Sequence, residues 1–292
     1  MASSQGSAPS RTRTVALTAL TLAAFAGNSL LARAALVEGT IGAPEFTALR
    51  IASGAAVLLP FAVRATPRLR EERLRRLRAA AWLALYAIAF SLAYLELAAG
   101  TGALLLFGAV QVTMITSGLR AGERATPARA LGFLMAIAGL VWLVLPGVDA
   151  PAPWAAAAMA LAGIAWGAYT LSGRGEAQAS AATAWNFLLA TPLTLPLVWF
   201  AGDGRWSVEG SLLAIASGAL TSGAGYVVWY AALRGHSAIS AALVQLLVPA
   251  LAALGGAALL GESIDLRLVG SSCLTLGGVA LAILTKARPR TA

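Results

Sequence analysis

The sequence predicts an all-α integral membrane protein, with ten transmembrane helices set as two inverted five-helix repeats around a central cavity. Three observations predict it: an apolar composition, ten apolar runs of bilayer-spanning length, and a pattern that returns after 139 residues. Of the 292 residues 59% are hydrophobic and 11% charged, with a mean hydropathy of +0.79. A soluble domain carries roughly 25% charged residues. Too few solvated side chains remain to cover a globule, so lipid must face much of the surface.

Taken in order, the runs are Val15–Val37, Ala43–Val63, Ala79–Ala98, Thr101–Leu119, Pro127–Pro146, Trp154–Gly173, Ala181–Ala201, Val208–Leu233, Ser237–Leu260 and Leu266–Thr285. Each suits the roughly 17–25 residues a helix needs to cross a bilayer. No water is available there to satisfy free peptide groups, so a spanning run is a helix or part of a closed barrel. Continuous apolarity without alternation selects helices. Residues 1–14 are Ser/Gly/Pro-rich and read as a disordered cytoplasmic segment, and residues 286–292 as a cytoplasmic tail. Arg11 and Arg13 before Val15–Ala26, with Ala32-Arg33-Ala34 after it, also fit a cleaved secretory leader. The even span count needed below requires that the run be retained.

Placing the N-terminus in the cytoplasm puts all but four of the 21 Lys and Arg residues on the inner side; the exceptions are Arg33, Arg50, Arg205 and Arg267. Such asymmetry orients helices in a membrane. The Arg-rich stretch Arg64–Arg78 reads as a loop held against anionic lipid and not as a nucleic-acid site. Residues 15–146 and 153–285 form the two halves. At an offset of 139, Gly122-Glu123 meets Gly261-Glu262, Gly139 meets Gly278, and Ala103-Leu104 meets Ala242-Leu243. A unit of five spans is odd, so its second copy inserts upside down. Paired inverted units are an architecture of secondary transporters, with the site near the midplane.

Several chemistries are excluded. The one lysine, Lys286, is followed by Ala287, so no phosphate-binding loop of the Walker type exists. One histidine, His236, forms no zinc-protease motif, and one cysteine, Cys273, forms no intrachain disulfide. No metal, cofactor or catalytic set is expected.

Ionisable and polar residues inside a span are functional candidates by default. Arg50 can attract a solute carboxylate, or pair with Glu45 or Glu96 as a gating or structural ion pair. Glu96 can couple protons or be a wet helix end. Asn28, Gln111 and Gln245 offer uncharged donors and acceptors to a solute, or hydrogen-bond between helices. Trp82, Trp142, Trp154, Trp199 and Trp206 lie near span ends, where interfacial belts form. Tyr86, Tyr94, Trp166, Tyr169, Trp185, Tyr226, Trp229 and Tyr230 lie deeper or cluster together, and Trp166 with Tyr169 shares a helix face at i, i+3, as does Tyr226 with Trp229 and Tyr230. Aromatic walls suit a pocket for a small, partly apolar metabolite, and packing explains any single one equally well. Gly163-x-x-x-Gly167 reads as helix packing, Pro44 as a first-turn proline, and Pro249 as a mid-span bend.

These residues resemble the drug/metabolite transporter superfamily in its EamA-type branch of ten-span exporters. The resemblance is carried by Gly27-Asn28, Pro44 with Arg50, Gly122-Glu123, Ala165-Trp166-Gly167-Ala168-Tyr169, Tyr226 with Trp229-Tyr230-Ala231-Ala232-Leu233, Pro249 and Leu260-Gly261-Glu262. Within the branch the chain is most similar to bacterial amino-acid exporters of the YddG type, which implies a central cavity at Trp166 and Tyr169. It departs from them in the fourth span, where Phe107-Gly108-Ala109-Val110 replaces aromatics and a proline and implies a roomier cavity. The resemblance implies export of amino acids or related metabolites by a monomer in a bacterial-type inner membrane, without cofactor or nucleic-acid partner. A multidrug exporter, a passive channel, a membrane enzyme and a structural protein are the alternatives.

Overall fold

In the computed structural model, residues 11–63, 70–122, 126–147, 150–173, 176, 178–236 and 238–285 are described. Ten helices among them are long and apolar enough to span a membrane. They are α1 Arg11–Val37, α2 Ala43–Ala62, α3 Arg70–Ala93, α4 Ala99–Arg120, α5 Pro127–Val144, α6 Pro153–Ser172, α7 Ala179–Ala201, α8 Val208–Leu233, α9 Ser240–Leu260 and α10 Leu266–Leu284. The described residues contain no strand, only an isolated bridge between Ile41 and Trp206.

Local chemistry explains where helices begin and end. Pro44, Pro127 and Pro153 occupy first-turn positions, where a missing N–H costs nothing. Thr126, Ser207 and Asp265 cap α5, α8 and α10, their side chains accepting from the N–H of Arg129, Gly210 and Leu268. The repeated Gly-Glu pair has a shared cause: Gly122 and Gly261 end α4 and α9 with φ of +86° and +65°, which glycine adopts freely. Glu123 lies outside the described residues.

Three boundaries differ from expectation. α1 starts at Arg11, so Arg11–Thr14 are helical. α3 starts at Arg70 and stops at Ala93, because straight-chain Arg and Leu continue a helix well beyond the lipid. The Arg64–Arg78 stretch is therefore not wholly a loop, although residues 64–69 are outside the described set. α9 is interrupted at Leu246, between Ala238–Gln245 and Leu247–Leu260. Pro249 causes the break, since its ring nitrogen cannot donate to the Gln245 carbonyl. In α8 the stretch Ser217–Ala224 is a π-helix that no sequence pattern signalled.

Contacts define two faces. The terminal face joins the starts of α3 and α7 to the end of α6, and Thr126 to Thr285. The opposite face joins Arg33, Ala99 and Glu262, and Gly42 with Arg205. Packing partners exchange when five is added to each helix number. α3 on α6 becomes α8 on α1, α4 on α6 becomes α9 on α1, and α2 on α8 becomes α7 on α3; α2–α7, α4–α9 and α5–α10 map onto themselves. The α5–α10 seam repeats residue by residue. Arg129, Gly132, Ala136, Gly139 and Leu143 are the buried positions of α5, and Leu268, Ser271, Thr275, Gly278 and Ala282, each 139 residues on, are buried in α10. Backbones touch here: a Cβ on Gly278 would lie 2.5 Å from the Gly132 oxygen.

Trp142, Trp154, Trp199 and Trp206 are exposed near helix ends, as interfacial belts require, whereas Trp82 is exposed midway along α3 because that helix extends to Arg70. Gly163 and Gly167 bring α6 onto Ala109 and Thr113 of α4, which is plain packing.

Candidate functional site

A cavity of about 230 Å³ runs inward from the terminal face. At its mouth lie Arg75, Arg76, Ser172, Gly173 and Glu176; deeper in, Tyr169, Trp229, Tyr230, Tyr226 and Trp166 form its walls. Glu176 forms ion pairs with Arg76 at 2.7 Å and Arg75 at 3.2 Å. Arg76 is buried, contrary to a lipid-anchoring role for this residue. It faces the cavity because α3 continues past the apolar run and packs on α6 and α7.

Beyond Trp166 a smaller hollow of about 30 Å³ continues the path, with Phe25, Asn28, Ser29, Tyr86, Leu106, Phe107, Thr221 and Ser222 around it. Trp166 stands between the two spaces. Its ring centroid is 4.9 Å from that of Tyr86, 5.1 Å from Tyr169 and 5.3 Å from Tyr226. Three helices, α3, α6 and α8, thus contribute an aromatic plug. The Asn28 carboxamide oxygen accepts from Ser217 at 2.7 Å and Thr221 at 3.3 Å, and its nitrogen donates to Tyr86 at 3.4 Å. The π-helical stretch of α8 supplies both hydroxyls, and π-segments recur at functional sites.

The opposite face is shut. Arg33 donates Nε–H to Glu262 at 3.0 Å, and its guanidinium also donates to the Tyr94 and Leu95 carbonyls. The second Glu262 oxygen accepts the N–H of Ala99, the start of α4, at 2.8 Å. Alongside, Glu45 accepts from the N–H of Gly204 at 3.3 Å. Asp203 and Arg205 pair at this surface, and the guanidinium holds the Asp203 carboxyl below its ordinary value.

Of the residues singled out in the sequence, Asn28, Tyr86, Phe107, Trp166, Tyr169, Tyr226, Trp229 and Gln245 line these spaces. Tyr94, Glu96 and Gln111 do not. Tyr94 is wholly buried near the closed face, against Phe90, where its hydroxyl reaches the Ala99 carbonyl. Glu96 is exposed in the turn after α3, which ends earlier than the apolar run. Gln111 is buried in α4 outside both spaces. Arg50 pairs with neither Glu45 nor Glu96. Five residues separate Glu45 from Arg50, which turns the two side chains about 140° apart around the helix. Tyr230, grouped with the deep aromatics in the sequence, lines the cavity too, whereas sequence reasoning missed Phe25, Thr183, Asn186, Thr221, Ser222 and the Arg76–Glu176 pair. The Ser-Gly-Ala-Leu-Thr-Ser run of α8 was the available signal for two of them.

A wider groove of about 570 Å³ lies between α4, α5 and α6, but apart from Thr113 its walls are aliphatic. It offers nothing to orient a polar solute. The path between the two faces, and not this groove, is the candidate site.

Ten spanning helices around an internal polar and aromatic path define a multi-pass membrane protein of the transporter class. Residues 153–284 match the EamA-like transporter family. An uncharacterized protein of Pseudomonas aeruginosa is 52% identical over 276 residues, covering 93% of this chain and 94% of that protein. A solved crystal structure, 20% identical, superposes with a TM-score of 0.66 over 96% of this chain and 100% of its own, which establishes a shared fold. The chain belongs to the EamA-like transporter family, within the drug/metabolite transporter superfamily.

Proposed function

We propose that the protein is a secondary transporter exporting amino acids or related small metabolites by alternating access. In this reading two inverted five-helix repeats enclose the site, the membrane is a bacterial-type inner membrane, and both termini face the cytoplasm. The observation that carries it is the one-sided path: a cavity entered from the terminal face, an aromatic plug at Trp166, and a closed opposite face. A passive channel needs a way through in one state, whereas alternating access needs closure at one end. The exchange of packing partners between helices five apart supports two equivalent halves.

The cavity volume favours metabolites over drugs. About 230 Å³ falls below the roughly 300–1,000 Å³ of drug-sized sites. Aromatic faces, hydroxyls and carboxamides suit solutes with an apolar body and a polar head.

The test is flux from proteoliposomes preloaded with single amino acids. Protein-dependent, saturable release is expected, and Trp166→Ala should raise the half-saturating concentration about tenfold, the worth of one good aromatic contact of about 1.4 kcal/mol. Release equal to that of empty vesicles for every amino acid and small metabolite tried would refute export. Rates that never saturate would indicate a channel.

A further inference from the structure

Arg50 is 1% exposed, in the middle of α2, and no carboxylate among the described residues pairs with it. Its Nη2 donates to the Tyr86 hydroxyl at 2.9 Å and reaches Ser222 at 3.5 Å, while Nε and Nη1 have no partner. Two rings cover the guanidinium, with the Phe90 centroid at 4.5 Å and the Tyr86 centroid at 5.1 Å. An uncompensated cation in such a setting is among the most unfavourable arrangements a membrane protein holds. Cation–π contacts offset only part of it. The charge is therefore kept for something that arrives.

The two hydroxyls that Arg50 touches both line the 30 Å³ hollow behind Trp166. Asn28 presents its amide nitrogen to the same Tyr86 hydroxyl. Tyr86 is thus placed to accept from Arg50 and turn its own proton into the hollow, as a donor strengthened by the cation behind it. Among the described residues no acidic side chain lines this hollow. Nearer the terminal face the cavity wall carries Arg75 and Arg76 against the one Glu176. The field along the path is positive, and Phe107, Trp166 and Tyr226 offer an apolar wall beside the donors.

We infer that Arg50, acting through Tyr86 and Ser222, holds the carboxylate of the transported solute at the centre of the path. The inference rests on the transporter reading and adds the recognised group: the solute is an organic acid or an amino acid bound by its carboxylate end. An α-ammonium finds no anion in the hollow, only the faces of Trp166, Tyr86 and Tyr226.

The experiment is thermal stabilisation of the purified full-length protein in detergent. The probes are the twenty amino acids and short carboxylic acids, each compared with its primary amide, and chloride at matched concentration. At least one acid is expected to stabilise the protein where its amide does not. Arg50→Gln and Tyr86→Phe should each weaken that acid roughly ten- to hundredfold, the range of a lost charge-assisted bond, with Arg50→Lys retaining part of the affinity. Without solute, Arg50→Gln should melt no lower than the native protein, because it removes an unpaired buried charge; a purely structural arginine would lower it. Should Arg50→Gln not fold, Tyr86→Phe carries the test alone. Equal stabilisation by acid and amide, full affinity in the variants, equal stabilisation by chloride, or no response to any acid would each overturn the assignment. Proteoliposome flux separates this from the parent reading. Flux that ignores the carboxylate leaves export standing and removes Arg50's role; binding without flux does the reverse.

Discussion

Glu262 closes one face of the molecule, so its replacement should open that face by an amount the structure sets. One oxygen takes Arg33 Nε–H at 3.0 Å and the other the Ala99 N–H at 2.8 Å, with Arg33 and Glu262 side chains each 14% exposed. Hydrogen bonds to charged groups contribute about 1.5–3 kcal/mol each, roughly twice the neutral kind. Glu262→Gln keeps an acceptor but loses the charge, so the two contacts together weaken by about 2–3 kcal/mol. If both exist only when this face is closed, the balance shifts toward opening by roughly 30- to 150-fold. The assay is alkylation of Ser29→Cys in a Cys273→Ser background by a membrane-impermeant maleimide applied to one face at a time. Ser29 is buried in the hollow behind Trp166 and gives no access to the reagent while the face is shut. The rate from the face opposite the termini should rise by that factor in Glu262→Gln and stay unchanged from the terminal face. An equal rise from both faces means the fold has loosened. No rise, with a lower melting temperature, means the contacts hold the fold and do not gate it. Either result refutes the latch.

Gly278→Leu should be poorly tolerated, because the first added carbon already overlaps the Gly132 oxygen and Ala136 nitrogen of α5. Overpacking of this sort costs about 1–3 kcal/mol, more against backbone, and should appear as a lower melting temperature and reduced yield. Gly277→Leu, where nothing lies near, should leave both unchanged. Glu176→Gln leaves Arg76 only the longer contact to Glu72 at 3.8 Å, so the cost should approach the low end of the roughly 3–5 kcal/mol of breaking a buried pair from one side, read as a fall in melting temperature. Replacing both Arg76 and Glu176 by leucine should recover most of the loss; a double variant as unstable as the single one would argue against the pairing.

The fold was legible because lipid imposes a strict rule on sequence. A stretch without charges and long enough to cross must be helical, and all ten runs became helices. The rule is silent outside the hydrocarbon. There α3 extends through Arg73, Arg75, Arg76 and Arg78, since arginine is a good helix former and neighbouring helices fix what solvent would not. Much of the candidate site was legible as well, because several aromatics and carboxamides fall at similar depth on different spans, where helices packed side by side bring them together. Trp166, Tyr169, Tyr226, Tyr86 and Asn28 all reach the path. Tyr94 misled because α3 stops at Ala93, which puts this residue in the turn at the closed face and not deep within a span. Thr221 and Ser222 were hidden for a related reason. The π-helical turns change which residues share a face, so ordinary helical spacing misplaces them. The closing pair Arg33 and Glu262 is 229 positions apart, and no local pattern joins residues at that distance.

What repeats in this chain and what does not repeat have different physical origins. Five of five buried positions in α5 recur in α10 at one fixed offset, and the largest helix contacts of the two halves exchange in the same way. At that offset Arg50 meets Leu189 and Glu45 meets Ala184. In the proposed cycle a seam between two moving halves must fit in both conformations, which closely packed small residues such as Gly132 and Gly278 allow. A solute has a polar head and an apolar body, and a single path can greet that polarity only once. One buried guanidinium without a twin is what such a solute requires. At the corresponding position the second half carries Leu189, which packs partly buried against the hydrophobic core.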